Sequence, residues 1–487
     1  MSVVDSAGQS GPILRRSTGL RPPRAGVAVA VAAAALLSGC AMPAPEGPGR
    51  FYAGSPSGEW PERHPVVVIP GIPAVRLAAV DQSSPAPLPM RLGAALDELR
   101  DGLRPVGPAL STTSGETVQP RAANVYMDLL AALRLGGYRL GEVEVAGSAM
   151  EMADSATAGP PNLFRFEYDW RRDLVESAAE LHRFLLDRRA EMQAARARGA
   201  SVAAGRDTPI RFDVVADAAG GLLLRYYLRY GAADLPGDGS LPSLTWDGAG
   251  LVARAILIGT PNAGVTGALL DLVGGEGASA ILTGVPPSVV GTYPSFYQLL
   301  PRGRHGGLMR IQGRTREAID DLFDAALWEN LGWGLASAGD DRLLARLLPG
   351  EPDPLARRRI ALDHLRKCLR RARRFCEALD VPAHPPPGLS LHLMAADSSP
   401  TDAVAGIDWA TGRVSVIEQR PGDGAVLRSS ALHDERVGAE WSPLVLSPID
   451  WSTVMFFHTD GAGLARDPAF IDNLLFLLLE RPRRATE

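Results

Sequence analysis

The sequence predicts an α/β protein built on a mainly parallel sheet with helices on both faces, and three observations carry that expectation. Four runs are apolar without alternation: HPVVVIP (His64 to Pro70), IRFDVVA (Ile210 to Ala216), ARAILIG (Ala253 to Gly259) and LSLHLMAA (Leu389 to Ala396). Strands buried on both faces of a parallel sheet read this way. Between them, VYMDLLAALRLGGY, DLVESAAELHRFLLDRRAEMQAARA and AFIDNLLFLLLE carry apolar residues at helical spacing. From residue 60 onward the two patterns alternate, as in chains that wind a sheet between layers of helix. LFRFEYDW (Leu163 to Trp170) and STVMFFH (Ser452 to His458) are further strand candidates, and there is no internal repeat.

At 487 residues and 46% hydrophobic content the chain can bury a substantial core. A formal net charge of −5 provides no general attraction to nucleic acid or to an anionic bilayer. Nucleic acid is therefore not an expected partner.

The N-terminus reads as an export signal. Arg15, Arg16, Arg21 and Arg24 precede the apolar run Val27 to Leu37, which is short for a membrane span. The run ends in Leu37-Ser38-Gly39-Cys40, which resembles the lipobox of bacterial lipoproteins. That resemblance implies removal of residues 1–39 and attachment of diacylglycerol to Cys40. It also implies a location in the cell envelope, at the outer membrane if the cell is Gram-negative, because Ala41 stands at the second mature position. A signal peptide with a chance cysteine, or a membrane anchor, is the alternative. Residues 40–60, rich in Pro, Gly and Ser, read as a flexible tether, and 61–487 as the folded domain.

Two regions interrupt the alternation, Arg76 to Gln119 and Val265 to Pro387. Both contain helical pieces without buried strands, and they are expected to form a helical cap or lid over one sheet edge, the main insertion covering about 265–387. A separate second domain is the alternative for the longer one. Within it, LARRRIALDHLRKCLRRARRFCEAL (Leu355 to Leu379) places Leu355, Leu362, Leu365, Leu369, Ala372, Cys376 and Leu379 on one helical stripe, with nine Arg or Lys elsewhere. Such a helix either packs its stripe on the core or rests on anionic headgroups, and the first is preferred. Cys368 and Cys376 lie about 12 Å apart along this helix and cannot bridge; they read as core thiols. No cofactor or metal is implied by any motif.

The stretch DVVADAAGGLLLRYY (Asp213 to Tyr227) reads as a buried strand, a tight turn of small residues and a helix. This is the arrangement that presents the nucleophile in α/β hydrolases, where the crowded turn needs small residues two before and two after it. Ala216, Ala218 and Gly220 meet that spacing, so the nucleophile's position falls on Ala218, whose methyl group cannot attack a carbonyl.

Further motifs follow in order: HPVVVIPGI (His64 to Ile72), VYMDLLAALRLGGY, Tyr168-Asp169-Trp170-Arg171, the turn just described, GTPNAG (Gly259 to Gly264), YPSFYQLLPR (Tyr293 to Arg302) and GDGAV (Gly422 to Val426). Together, over about residues 64 to 480, they resemble the lecithin:cholesterol acyltransferase family of α/β hydrolases. The resemblance implies an α/β-hydrolase fold and places roles on individual residues. The oxyanion donors would be the backbone N–H groups of Ile72 and Ala219, and the triad acid Asp423. The triad base, aligned on Gly463-Leu464 and Asp467-Pro468, would fall at Gly461. Asp423 is equally readable as a turn residue. His458, three residues before Gly461, is an alternative base or a surface histidine. Asp217 fills the position before the nucleophile; as a carboxylate nucleophile it would need the turn shifted by one, and its side chain is expected to point away from the groove.

The expected function is accordingly a lipid-anchored protein of acyltransferase-like fold with a degraded triad, a pseudoenzyme that binds a lipid or fatty-acyl ligand or an envelope protein partner. The alternative is an active acyltransferase, phospholipase or esterase acting on lipid esters through an unrecognised nucleophile.

Overall fold

The computed structural model describes residues 63–72, 122–140, 161–198, 209–277, 281–282, 285–337, 341–439 and 442–480. The chain divides into Met1–Glu46 and Gly47–Glu487, and every described residue belongs to the second unit. The signal and tether (1–60), Cys40 and the first interruption (Arg76 to Gln119) lie outside the described residues.

Six parallel strands form the central sheet: β1 (Val66–Ile69), β2 (Leu163–Arg165), β3 (Phe212–Asp217), β4 (Val252–Ile258), β7 (Ser390–Ala396) and β12 (Thr453–Phe457). Their spatial order is β12-β7-β4-β3-β1-β2, with every neighbouring pair parallel. All four unbroken apolar runs become strands of this sheet, and the reason is visible in β1. Val67 and Ile69 join the core on one face, while Val66 and Val68 join the core on the other. Successive side chains of a strand point to opposite faces, so a strand covered on both sides is apolar at most positions, buried Asp213 of β3 being an exception.

Helices supply the covering. One face receives Leu174–Arg198 through Leu174, Ala178, Leu181 and Leu185, and Ala219–Tyr230 through Leu222, Leu223, Tyr226 and Tyr227. The opposite face receives Ala122–Leu135 through Tyr126, Leu129, Leu130 and Leu133, and the closing helix Pro468–Leu479 through Phe470, Leu474 and Leu478. The closing helix starts where Asp467 accepts from the Phe470 N–H, with Pro468 preset for the first turn.

LFRFEYDW stops being a strand at Arg165. Beyond it, the Asp169 carboxylate takes the Arg171 backbone N–H and clasps the Arg171 guanidinium at 2.8 Å through both oxygens. This local ring turns the chain.

The cap is mainly helical, as expected, and it also carries strands that the sequence reading did not foresee. The insertion between β4 and β7 carries β5 (Gly307–Gln312) and β6 (Thr315–Ile319), and a further insertion after β7 carries β8 (Ser399–Asp408) and β9 (Val414–Gly422). They join as a second, four-stranded sheet in the order β6-β5-β8-β9, with β5 and β8 parallel. A short hairpin, β10 (Glu435–Ala439) with β11 (Ser442–Leu446), follows. The physical reason β5 and β6 escape a search for buried runs is that most of their residues are partly or fully exposed.

The cap helix Pro354–Asp380 buries Leu365, Cys368, Leu369, Ala372, Phe375, Cys376 and Leu379 against the core. Its stripe does not begin at Leu355, which is 74% exposed on the first turn. Both thiols are free and buried. The basic residues are largely engaged by the protein. Arg371 is buried between Asp173 and Asp234, Arg357 pairs with Asp341, Arg366 with Glu329, and Arg373 with Asp321.

Candidate functional site

Strand β3 ends at Asp217, and the helix Ala219–Tyr230 begins two residues later, so Ala218 alone makes the turn. It holds φ 45° and ψ −121°. A residue with a β-carbon rarely adopts positive φ, and such a backbone costs on the order of 1–3 kcal/mol. The turn is held by the Ala218 N–H donating to the Ile258 carbonyl at 2.8 Å and the Gly221 N–H donating to the Ala218 carbonyl at 3.0 Å.

The loop after β1 presses on this turn. A β-carbon on Gly71 would stand 2.8 Å from the Ala218 β-carbon and 2.8 Å from Asp217 Oδ2. One on Gly220 would stand 2.8 Å from Ile69 Cγ2 and 3.0 Å from the Pro70 carbonyl oxygen. Both glycines are therefore required by close approach, and Pro70-Gly71-Ile72 abuts the head of the helix. Ala219 is the first residue of that helix, where an N–H has no intrahelical acceptor.

Asp423 serves two purposes with its two oxygens. Oδ1 accepts from the N–H groups of Ala425 and Val426, at 2.8 and 2.6 Å, as a turn aspartate does. Oδ2 faces the other way, 3.3 Å from the position of a β-carbon on Gly461 and 3.3 Å from one on Gly259. The Gly461 N–H donates to the Asp423 carbonyl at 2.9 Å. Any side chain at 461 would thus begin against the Asp423 carboxyl. Desolvation pushes that carboxyl up to about 6, opposed by its backbone donors. His458, by contrast, is exposed at the end of β12, after buried Phe457.

Asp217 does not point away from the site as expected. Its carboxyl accepts from the Gly71 N–H and lies against the turn that carries Ile72. Desolvation, with the field of Asp423, pushes it up to about 7. The physical reason is the turn itself, since the strained residue is Ala218 and Asp217 remains the last strand residue, its side chain directed toward β1. Tyr168 of the Y-D-W-R motif is a site neighbour that sequence reasoning did not single out. Its hydroxyl is buried, has no hydrogen-bond partner among the described residues, and is raised by burial and by Asp217.

The remaining motifs brace this constellation. Trp170 meets Tyr293 edge-on at 5.8 Å, joining Y-D-W-R to YPSFYQLLPR. Asn262 of GTPNAG donates to the Ala431 carbonyl at 2.7 Å and accepts from Arg225 of the helix Ala219–Tyr230 at 3.1 Å. Arg302 closes the circuit by donating to the Asn262 carbonyl at 2.8 Å.

The six-strand parallel order, the helices on both faces, and the sharp turn after the central strand β3 define a protein of the α/β-hydrolase fold. No protein-family model matches the sequence, and no curated protein matches it. Thirteen solved chains match. One comes from the crystal structure of the Tle4–Tli4 complex, to which this chain is similar at 13% identity and a TM-score of 0.44, over 65% of this chain and 68% of that one.

Proposed function

We propose that this chain is a lecithin:cholesterol acyltransferase-like protein that has given up covalent catalysis and binds a lipid or fatty-acyl ligand, or an envelope protein, while anchored through lipidated Cys40. The observation that carries the reading is Ala218 at φ 45° on the turn between β3 and its helix: the strained geometry of a nucleophile's turn persists with a methyl group on it. Gly461, against the free oxygen of Asp423, supports it from the other side, because a triad base there would have had its carboxylate partner waiting. In a serine hydrolase, losing the serine alone costs about 10⁶ in kcat, and what remains comes from binding and oxyanion stabilisation.

The test is to treat the full chain with a serine-reactive phosphonate and with short and long acyl esters, alongside A218S and the A218S/G461H double variant. The native chain should remain unlabelled and turn over esters only at background, and the double variant should gain labelling over A218S, whose hydroxyl has no base. Labelling of the native chain would overturn the reading.

A second reading rests on Asp217. Its carboxyl accepts from the Gly71 N–H beside Ile72, and on this reading the chain is an active hydrolase using a carboxylate; native ester turnover abolished in D217N would favour it.

A further inference from the structure

We propose that His305, His433 and Glu435 form a binding site for a divalent cation of the zinc class, distinct from the residues of the turn at Ala218. The three come from two stretches far apart in sequence: His305 ends the short turn Gly303–His305 after YPSFYQLLPR, while His433 and Glu435 follow the helix Arg428–Leu432. One nitrogen from each ring and one carboxylate oxygen of Glu435 lie within 4.8 Å of one another. Zinc with ligands at about 2.0–2.1 Å in a tetrahedron sets its donor atoms about 3.3–3.5 Å apart, a closure that small side-chain movements achieve.

Several independent observations point the same way. Both imidazoles are buried, at 1% and 3% exposure, and Nδ1 of His433 has no hydrogen-bond partner among the described residues. Leaving a buried polar atom unpaired costs about 1–3 kcal/mol, and an ion would use a lone pair that the protein leaves idle. The positive φ of His433, 53°, is that of the left-handed residue capping the helix Arg428–Leu432, which fixes where its ring starts.

The surroundings resemble the support that metal ligands need. His433 Nε2 faces Asp380 Oδ1 at 3.5 Å, and Asp380 is itself held by Arg302 through both oxygens, at 2.7 and 2.6 Å. A carboxylate behind one ring nitrogen orients the imidazole and leaves the other nitrogen for the ion. His305 Nε2 is 3.0 Å from Glu435 Oε1, and the Glu435 side chain, 46% exposed, opens a way in from solvent.

Charge selects among cations. Arg302 is paired with Asp380 and Arg304 with Asp434, while Arg225 is held by Asn262 and the Leu379 carbonyl and Arg229 by the Ala378 and Val381 carbonyls. Glu435 is thus the carboxylate available to an incoming ion. Two nitrogens and one oxygen suit zinc and are poor for magnesium or calcium, which require mostly oxygen ligands, while the neighbouring guanidiniums oppose any dication and so limit its affinity. An ion there would tie the end of YPSFYQLLPR to the segment whose helix carries Ala431, the acceptor for Asn262.

The experiment uses the full chain in detergent, stripped with EDTA and titrated with zinc by calorimetry, with magnesium as a control. Bound metal is counted by mass spectrometry, and thermal unfolding is followed with and without zinc. H433N, which tolerates positive φ, and E435Q, at a half-exposed position, are measured in parallel. We expect an equivalent of zinc whose affinity falls at least tenfold in each variant, a rise in Tm with zinc in the native chain, and no response to magnesium. Absence of zinc binding by the native chain, or binding that both variants retain unchanged, as capture by cysteine thiols would give, overturns the site.

Discussion

Ala218 stands where an alanine is conformationally disfavoured, and that strain is measurable. Glycine adopts φ 45° without penalty, so A218G should stabilise the chain by about 1 kcal/mol despite its greater freedom when unfolded, as read from the denaturation midpoint. Asp217 leads to a pH prediction. Its carboxyl is pushed up from 3.8 to about 7 in the folded chain, so the folded state holds a proton that the unfolded state releases earlier. Its stabilising contribution is full below pH 4 and is lost as pH rises through 7, with a slope of at most about 1.4 kcal/mol per pH unit. D217N, whose side-chain oxygen still accepts from the Gly71 N–H, should therefore be more stable than the native chain at pH 8 and differ little at pH 4. Equal stability curves for the two across that range would contradict the assigned environment. The turn was legible in A-D-A-A-G because crowding dictates small residues there. The direction of Asp217 was not, since it depends on Gly71, a residue far upstream that only folding brings alongside.

Among the elements, the cap helix Pro354–Asp380 is tied by charge to Asp173, the residue just before the helix Leu174–Arg198. Arg371 is buried between Asp173 and Asp234, and Asp173 also accepts from Gln298 Nε2 at 2.9 Å and the Val175 N–H at 2.7 Å. R371A strands Asp173 without its cation, and a broken buried pair of this kind costs about 3–5 kcal/mol. The expected outcome is a loss of unfolding free energy of that size in chemical denaturation; R373A, whose partner Asp321 is exposed, should change it by less than about 1 kcal/mol. The helical stripe announced this helix, whereas the sheet of β5, β6, β8 and β9 stayed hidden. TREAI is mostly solvent-facing, and the β5–β8 pairing joins two insertions on either side of β7, so neither periodicity nor local turn chemistry registers it.

At the scale of the whole molecule, the proposed role depends on where the chain is held and what it carries. If Cys40 bears the lipid, C40A should move from the detergent phase to the aqueous phase on phase separation, while its folded domain unfolds at an unchanged temperature. Native mass spectrometry of protein extracted from its own membrane should show a retained lipid; a consistently empty chain would leave protein partners as the ligands of this fold. No helix among the described residues is long and apolar enough to cross a membrane.

The sequence by itself determined the central sheet and the sharp turn at Ala218. Doubly covered strands are apolar at most positions on both faces, and a backbone forced to positive φ in a crowded corner must be flanked by small residues. Tertiary structure alone decided which oxygen of Asp423 faces Gly461, that Asp217 leans on the Gly71 turn, that the cap holds a sheet, and that His305 meets His433 and Glu435. Each of these depends on groups distant in sequence being packed within a few ångströms, and such proximity leaves no periodic trace along the chain.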